Sequence, residues 1–250
     1  MERTNAWKKY QDEDKRKAVY DFAEGYRIFL SENKTERECA AFFVEEAKRA
    51  GFENLDEVIA AGKTLKAGDK VYAMNKKKMV AAFVIGKRPI SEGMRILGAH
   101  IDSPRLDLKQ NPLYEDTDMA LLDTHYYGGV KKYQWVTLPL ALHGVIAKKD
   151  GSVIDVCVGE KEDDPVFGVS DLLIHLSSEQ LDKKASKVIE GEDLNVLVGS
   201  IPLESEDEKE CVKANVLRIL CEQYDIEEED FLSAEIEVVP AGKARDYGFD

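Results

Sequence analysis

The stretch RILGAHIDSPRLDLK, residues 95–109, joins an apolar run to a histidine, an aspartate and a proline. Its first half belongs to MRILGAHI (94–101), which we predict to be a buried strand. Residues i and i+2 of a strand point to the same side, so His100 and Asp102 are expected to share one face at the strand end. A strand that only has to stop can do so at Gly or Asn. The pair therefore indicates a functional site.

An imidazole that binds a metal ion commonly donates its second N–H to a carboxylate, which fixes the tautomer and makes the ligand more basic. His100 is thus a candidate metal ligand, with Asp102 as its orienting partner. The carboxyl edge of a parallel sheet is also where α/β proteins place their sites. The alternative is that His100 bonds to the backbone and Asp102 caps a turn before Pro104. Spacing alone leaves both open, because His-x-Asp is short and common.

The other three histidines are expected to be structural. His143, in LPLALHGVIA, is predicted to be a satisfied core or strand residue, and His125, before a Gly-Gly turn, is predicted to lie in a loop. His175 is flanked by apolar residues in LLIHL, which by itself predicts a packed core residue. The motifs GxSxG, HExxH and a phosphate-binding glycine loop are absent. This excludes the simplest serine hydrolase, zincin and nucleotide-binding interpretations.

The composition is that of a globular protein that can bury a core. The 250 residues are 44% hydrophobic and 34% charged, with a formal net charge of −14. Nucleic-acid and anionic-membrane partners are excluded, because both need a cationic surface. No CxxC pair is present, so the four cysteines are predicted to be reduced, buried thiols. With no signal-peptide core and no apolar run near the ~20 residues of a membrane span, the protein is predicted to be cytoplasmic.

The first half of the chain predicts helices that pack against strands. The apolar residues of the first helix recur at helical spacing: Val19, Phe22, Tyr26, Phe29 and Leu30. A capping box predicts the start of a second helix, and a glycine its end: Thr35 with Glu38, and Gly51. The segments KVYAMN and KMVAAFVIG predict a strand pair that turns near Lys76-Lys77. Together they favour an α/β layered domain.

After Lys109 the chain predicts a separate, mostly β unit. Turn signals occur at Asn111-Pro112, Gly128-Gly129 and Asp150-Gly151. A further helix is predicted behind a capping box, and its apolar face follows from spacing: Ser205 with Glu208, then Val212, Val216, Leu217 and Leu220. The segment AEIEVVPAG (234–242) predicts a last strand.

Three segments together are similar to one known family. GAHIDSPRLDLK (98–109) is similar to the H-[TIV]-D-S-P-x-L-x-[LV]-K segment of the aspartyl aminopeptidase family, a group of two-metal zinc exopeptidases. THYYGGVKKYQWVTLPLALHGVI (124–146) resembles the family's Y-G-G segment, although its continuation departs from the usual pattern. VSDLLIHL (169–176) resembles I-P-H-L-A-I-H-L, with Asp171 at the first histidine and His175 at the second. The chain therefore resembles a divergent, bacterial-type branch over nearly its whole length.

The resemblance implies an α/β fold in which a zinc-exopeptidase-like catalytic domain is interrupted by a β-rich dimerisation domain. Residues 1–107 would be the first part of the catalytic domain, 108–235 the dimerisation domain, and 236–250 the return into the catalytic domain. The implied activity is a zinc aminopeptidase that removes N-terminal residues, acidic ones among its candidates, from peptides. The family's dimers assemble into a dodecamer, so self-association is expected.

The resemblance also implies roles for individual residues. His100 would bind one of two zinc ions, and Asp102, the catalytic-site carboxylate, would orient it. His175 would reach the active site of a neighbouring subunit and help to hold the substrate or the developing oxyanion. The family's remaining ligands and general base follow the equivalent of Tyr247–Asp250, so the chain is expected to be part of a longer enzyme. The alternatives are a non-catalytic assembly module and a metal-dependent deacylase of the same broad clan.

Overall fold

The structure, a computed structural model, describes residues 3–204 and 209–249. The chain divides into two compact units. The first unit consists of Met1–Lys34, Glu38–Lys87 and Lys243–Asp250. The second unit consists of Thr35–Arg37 and Arg88–Gly242. Each unit contains one β-sheet and at least part of one long helix.

The regular elements alternate between helices and strands in the first third of the chain and are mostly strands afterwards. The described α-helices are α1 (Glu13–Glu32), α2 (Glu36–Arg49), α3 (Leu55–Ala60), α4 (Ser178–Leu181) and α5 (Cys211–Tyr224). The described strands are β1 (Glu53–Asn54), β2 (Lys70–Asn75), β3 (Met79–Val84), β4 (Arg105–Asp116), β5 (Met119–Tyr127), β6 (Leu140–Ala147), β7 (Val153–Val158), β8 (Val196–Gly199) and β9 (Ala234–Pro240).

In the first unit, α2 packs against a small sheet of order β1-β2-β3. Val44 and Ala47 of the helix form a buried cluster with Tyr72 of β2. The predicted turn between β2 and β3 is confirmed: Lys76 and Lys77 have φ of 49° and 58°, the left-handed conformation that tight hairpins require. The predicted limits of α2, after Thr35 and before Gly51, are also confirmed.

Helix α1 departs from the expectation that both early helices are covered by a sheet. None of its residues is buried, and Phe22 is 78% exposed. Its described packing includes Phe29, whose ring lies 4.8 Å from that of Phe42 on α2. The expectation is wrong for this helix because an apolar stripe marks the face that favours burial, without showing which element covers it.

The second unit confirms the predicted β-rich part. Its six-stranded sheet has the order β7-β6-β9-β4-β5-β8 and is antiparallel throughout. Helix α5 is confirmed: Val212 is buried in the core, and Val216 and Leu217 pack against it. The predicted capping box of Ser205 and Glu208 lies outside the described residues.

Strand β4 contains a feature that the sequence suggested was a turn. Asn111 has φ of 51°, and the register with β5 shifts between Leu108 and Leu113. The Asn-Pro signal therefore marks a β-bulge inside one strand, where proline and a left-handed residue are both tolerated. Strands β4 and β9 extend across the expected domain boundaries at 107 and 236. The division into catalytic and dimerisation domains stays a prediction.

The segment 94–101 is not the buried strand that its apolar run predicts. Residues 94–104 have no regular structure, Ile96 is 78% exposed and Leu97 is fully exposed. An apolar strand is buried only when neighbouring strands and helices cover it, and no described strand pairs with this segment. His100 consequently lies in an irregular segment just ahead of β4, rather than at the end of a parallel strand.

The cysteines are less buried than the sequence predicted. None of the four cysteines is in a described disulfide, but only Cys39 is buried, whereas Cys157 and Cys221 are exposed. The expectation of burial is therefore wrong for these two, since Cys157 lies on the outer strand β7 and Cys221 on an exposed face of α5.

Within residues 3–204 and 209–249, no helix has both the length and the apolar character needed to cross a bilayer.

Candidate functional site

His100 and Asp102 are brought together in the segment before β4. The Nδ1 atom of His100 lies 3.0 Å from the main-chain oxygen of Asp102 and 3.3 Å from its Oδ1. Because both neighbours of Nδ1 are oxygen acceptors, the geometry favours the tautomer with the proton on Nδ1. The imidazole is 86% exposed, so its Nε2 lone pair faces solvent. This is the arrangement that a histidine ligand of a metal ion commonly adopts.

The second oxygen of Asp102 is held by a residue that sequence reasoning did not select. The hydroxyl of Tyr127, at the end of β5, donates a hydrogen bond of 2.8 Å to Oδ2 of Asp102. This bond is the main reason why the pKa of Asp102 is lowered below its ordinary value, with smaller contributions from the backbone and His100. The same bond raises the pKa of Tyr127. At neutral pH the pair is therefore a carboxylate accepting from a neutral phenol.

Arg105 lies beneath this pair. Its guanidinium carbon is 4.1 Å from the centre of the Tyr127 ring, within the range of a cation–π contact. The side chain is only 8% exposed and is held by ion pairs with Asp107 at 2.7 Å, Glu36 at 3.1 Å and Glu237 at 3.2 Å. Burial alone would lower the pKa of Arg105, but the bond to Asp107 and the charges of the other carboxylates raise it overall.

His175 is exposed, which corrects the expectation of a core residue. It lies on one 3₁₀ turn, Ile174–Leu176, where Leu173 and Leu176 are each 70% exposed. The turn is held by its neighbours: the Ser177 hydroxyl donates to the Ile174 carbonyl. An apolar run predicted burial, but the run lies where nothing described covers it. No described hydrogen bond or ion pair links His175 to His100.

The expectation is confirmed for His143 and wrong for His125. His143 is 3% exposed on β6, and its Nε2 lies 3.1 Å from Glu160 Oε1, so the prediction of a satisfied strand residue is confirmed. His125 lies on β5 and stacks on the Tyr126 ring, so the predicted loop is wrong. Strand β5 continues to Tyr127, and the predicted turn at Gly128-Gly129 follows it directly.

Among the residues of this site, His100 fits the role of a zinc ligand. The exposed Nε2 of His100, with its second nitrogen against oxygen, suits that role. Zinc is held in proteins by three or four side chains. Across 3–204 and 209–249, no group of three His, Cys, Asp or Glu side chains has a geometry that could hold a metal ion. The described site is therefore a single candidate ligand with a supporting network.

Comparison with known proteins defines the class to which this fold and this site belong. The model of the Aminopeptidase I zinc metalloprotease (M18) family matches residues 29–250, and the chain belongs to that family. A probable M18 family aminopeptidase 1 of Clostridium acetobutylicum is 64% identical over 246 residues, which are 98% of this chain and 53% of that relative. The chain thus spans about half the length of the curated relatives it matches.

Solved structures agree with the family assignment. The crystal structure of aminopeptidase I from Clostridium acetobutylicum is 63% identical, with a TM-score of 0.87 over 100% of this chain and 54% of that one. The structure of the S. cerevisiae mApe1 dodecamer is 18% identical, with a TM-score of 0.62 over 90% of this chain and 49% of that one, and so shares the fold. The expected α/β, zinc-exopeptidase-like fold and the expected family are confirmed.

Proposed function

We propose that this chain is an incomplete portion of a zinc-dependent aminopeptidase that removes N-terminal residues, acidic ones among its candidates, from peptides. One observation carries the proposal. In a chain of a zinc metalloprotease family, the Nδ1 of His100 lies between two oxygens of Asp102 while Nε2 faces solvent.

The proposed roles follow from this geometry. His100 is a ligand of one of two zinc ions, and Asp102 holds the Nδ1 proton and the orientation of the ring. When bound, zinc supplies Lewis acidity toward the scissile carbonyl and lowers the pKa of water. The remaining ligands and the general base are proposed to come from the part of the relatives' length that this chain does not span, because zinc needs three or four ligands.

His175 is proposed to contact the peptide substrate in the active site of a neighbouring subunit. Its exposed turn, bordered by exposed Leu173 and Leu176, supports a role in which a second chain covers it. Residues 108–235 are the proposed dimerisation domain, and 1–107 with 236–250 the proposed parts of the catalytic domain. The dodecamer reported for S. cerevisiae mApe1 motivates the proposal that dimers of this protein assemble further.

A cytoplasmic location is proposed from the cysteines. The four cysteines, two of them exposed and none in a described disulfide, suit a reducing compartment. Labelling of all four thiols in protein extracted under conditions that trap disulfides tests this proposal. Recovery of the protein as a disulfide-linked species would contradict it.

The function is tested by comparing this chain with a protein of the relatives' full length that contains it. We expect the 250-residue chain to bind zinc weakly and to hydrolyse no aminoacyl substrate, because it offers one ligand. The full-length protein is expected to contain zinc and to cleave a panel of aminoacyl substrates. Robust turnover by the purified chain would contradict the first expectation. A full-length protein without metal or turnover would favour the assembly module instead.

A further inference from the structure

The ends of β4 and β5 bring a tyrosine to the segment that carries the proposed ligand. Tyr127 lies opposite Arg105 in the β4–β5 ladder. Gly128 follows with φ of 76°, and a Cβ there would lie 3.6 Å from Pro104. The turn after β5 therefore lies against the residue that precedes β4. This places the Tyr127 hydroxyl within 2.8 Å of Asp102 Oδ2.

Beneath the ring, Arg105 limits how far Tyr127 can move. The guanidinium is 4.1 Å from the ring centre and is fixed by three carboxylates, of which Glu237 is only 2% exposed. A guanidinium held in this way presents a planar face that a lysine could not supply. The tyrosine ring thus packs against a buried guanidinium, and its hydroxyl has a defined direction.

Asp102 receives its orientation from that hydroxyl. One carboxylate oxygen accepts from Tyr127, and the other lies 3.3 Å from His100 Nδ1. Rotation of the carboxylate would break both relationships together. The contacts described for the His100 ring are both with Asp102, and the ring is 86% exposed. The direction of Nε2 therefore depends on how Asp102 is held.

We propose that Tyr127, supported by Arg105, is a positioning residue for His100: its hydroxyl fixes the Asp102 carboxylate, which acts together with the Asp102 main-chain oxygen to favour the Nδ1–H tautomer and to set the direction of Nε2. The inference rests on the proposed role of His100 as a zinc ligand. Groups that hydrogen-bond a metal ligand directly change metal affinity by about tenfold to a hundredfold when they are removed, and Tyr127, which acts through Asp102, is expected to fall at the lower end of that range.

The positioning itself is tested in the 250-residue chain, without metal, with Tyr127→Phe. Long-range ¹H–¹⁵N spectra report the tautomer of each imidazole, and the chain has four histidines, so His100→Ala assigns the signal. We expect the Nδ1–H form to predominate for His100 and its fraction to fall in Tyr127→Phe, in which only the Asp102 main-chain oxygen still has a fixed position against Nδ1. The matched control is Tyr126→Phe, whose ring stacks on His125 instead. An unchanged His100 tautomer in Tyr127→Phe would overturn the inference.

The consequence for metal is tested in the full-length protein by zinc competition with a chelator. Tyr127→Phe is expected to weaken zinc binding by up to about tenfold and Tyr126→Phe to leave it unchanged, with equal thermal unfolding of the two. If His100→Ala removes zinc while Tyr127→Phe binds it like Tyr126→Phe, the inference fails and the proposed function stands. If His100→Ala retains zinc and activity, the proposed function fails, and the spectra still decide whether Tyr127 positions the ring.

Discussion

The Nε atom of Arg105 lies 3.2 Å from Glu237 Oε2 and so joins β4 to a buried carboxylate on β9. The contact has a structural reason, because Asp107 and Glu237 are direct partners in the β4–β9 ladder. Like charges directly opposite each other destabilise a sheet, and the guanidinium, which also pairs with Asp107 at 2.7 Å, offsets that repulsion. The ion pairs of Arg105 below the candidate site therefore also help to hold β4 and β9 together in the core sheet.

The first prediction concerns this ion pair. Arg105→Met is expected to lower the free energy of unfolding by about 3–5 kcal/mol, because it removes the guanidinium that pairs with the buried Glu237 carboxylate. Urea denaturation of the 250-residue chain measures the change. Arg218→Met is the control, since its pair with Glu222 on α5 is largely exposed and contributes little. Equal losses in the two variants would contradict the prediction.

A second prediction separates the proposed function of His100 from stability. His100→Ala is expected to change the free energy of unfolding by less than about 0.5 kcal/mol, because its side chain is 86% exposed. In the full-length protein the same change is expected to abolish activity and leave assembly intact. Urea denaturation, aminoacyl-substrate assays and size-exclusion chromatography give the three readouts. His125→Ala, at an exposed position on β5, is the control, and retained activity in His100→Ala would remove the ligand assignment.

A third prediction concerns acid stability. Asp164 accepts hydrogen bonds from the main-chain N–H groups of Lys161, Gly159 and Glu160, which lower the pKa of its carboxyl group. A carboxyl group whose pKa is lowered on folding stabilises the protein fully above its unfolded pKa, about 3.9. That stabilisation is lost as the pH falls from there through the folded pKa.

The stability difference between the wild-type chain and Asp164→Asn should therefore be complete at neutral pH and shrink below about pH 4. Urea denaturation midpoints of the two proteins, measured at neutral pH and below about pH 4, check the direction of this change. Asp163→Asn, at the exposed neighbouring position, serves as the control. A difference that grew on acidification would show that the hydrogen bonds do not act through the charged form of Asp164.

A fourth prediction concerns the close approach of β6 and β9. Gly144 has φ of 153°, and a Cβ there would lie 1.9 Å from the main-chain oxygen of Glu235. Gly144→Ala is expected to destabilise the chain by about 1–3 kcal/mol or more, because the strands must separate. Gly25→Ala, in the interior of α1 with open space around it, is expected to stabilise by up to about 1 kcal/mol. Thermal unfolding distinguishes the two, and tolerance of alanine at both positions would contradict the first expectation.

Elements with local signals were predictable from the sequence. The turn at Lys76-Lys77 and the limits of α2 depend on residues within a few positions of each other, and both are confirmed. Burial was less predictable, because it depends on distant segments. The run around Leu97 and the turn around His175 are apolar in sequence and exposed in the structure. Apolar character shows what favours burial, and only the tertiary neighbours decide whether it occurs.

The candidate site was predictable in part for the same reason. His100 and Asp102 are only two residues apart, so they are in contact although the strand that was expected to present them is absent. Tyr127 and Arg105 were missed because their meeting depends on the register of β4 against β5. The sequence signal was an arginine two residues before Asp107 at the start of a strand, and a Tyr-Tyr pair just before Gly128-Gly129. Pairing the two segments in a hairpin would have brought the tyrosine to the aspartate.

The place of β9 in the sheet has a consequence for biosynthesis. It is the latest in sequence of the six strands, yet it lies between the hairpin of β6 and β7 and the hairpin of β4 and β5. On the ribosome, each hairpin can form once its own residues have emerged, but their union through β9 must await translation to residue 240. Until then the facing edges of β4 and β6 are open, and the nascent chain is at its most vulnerable to association with its neighbours on a polysome.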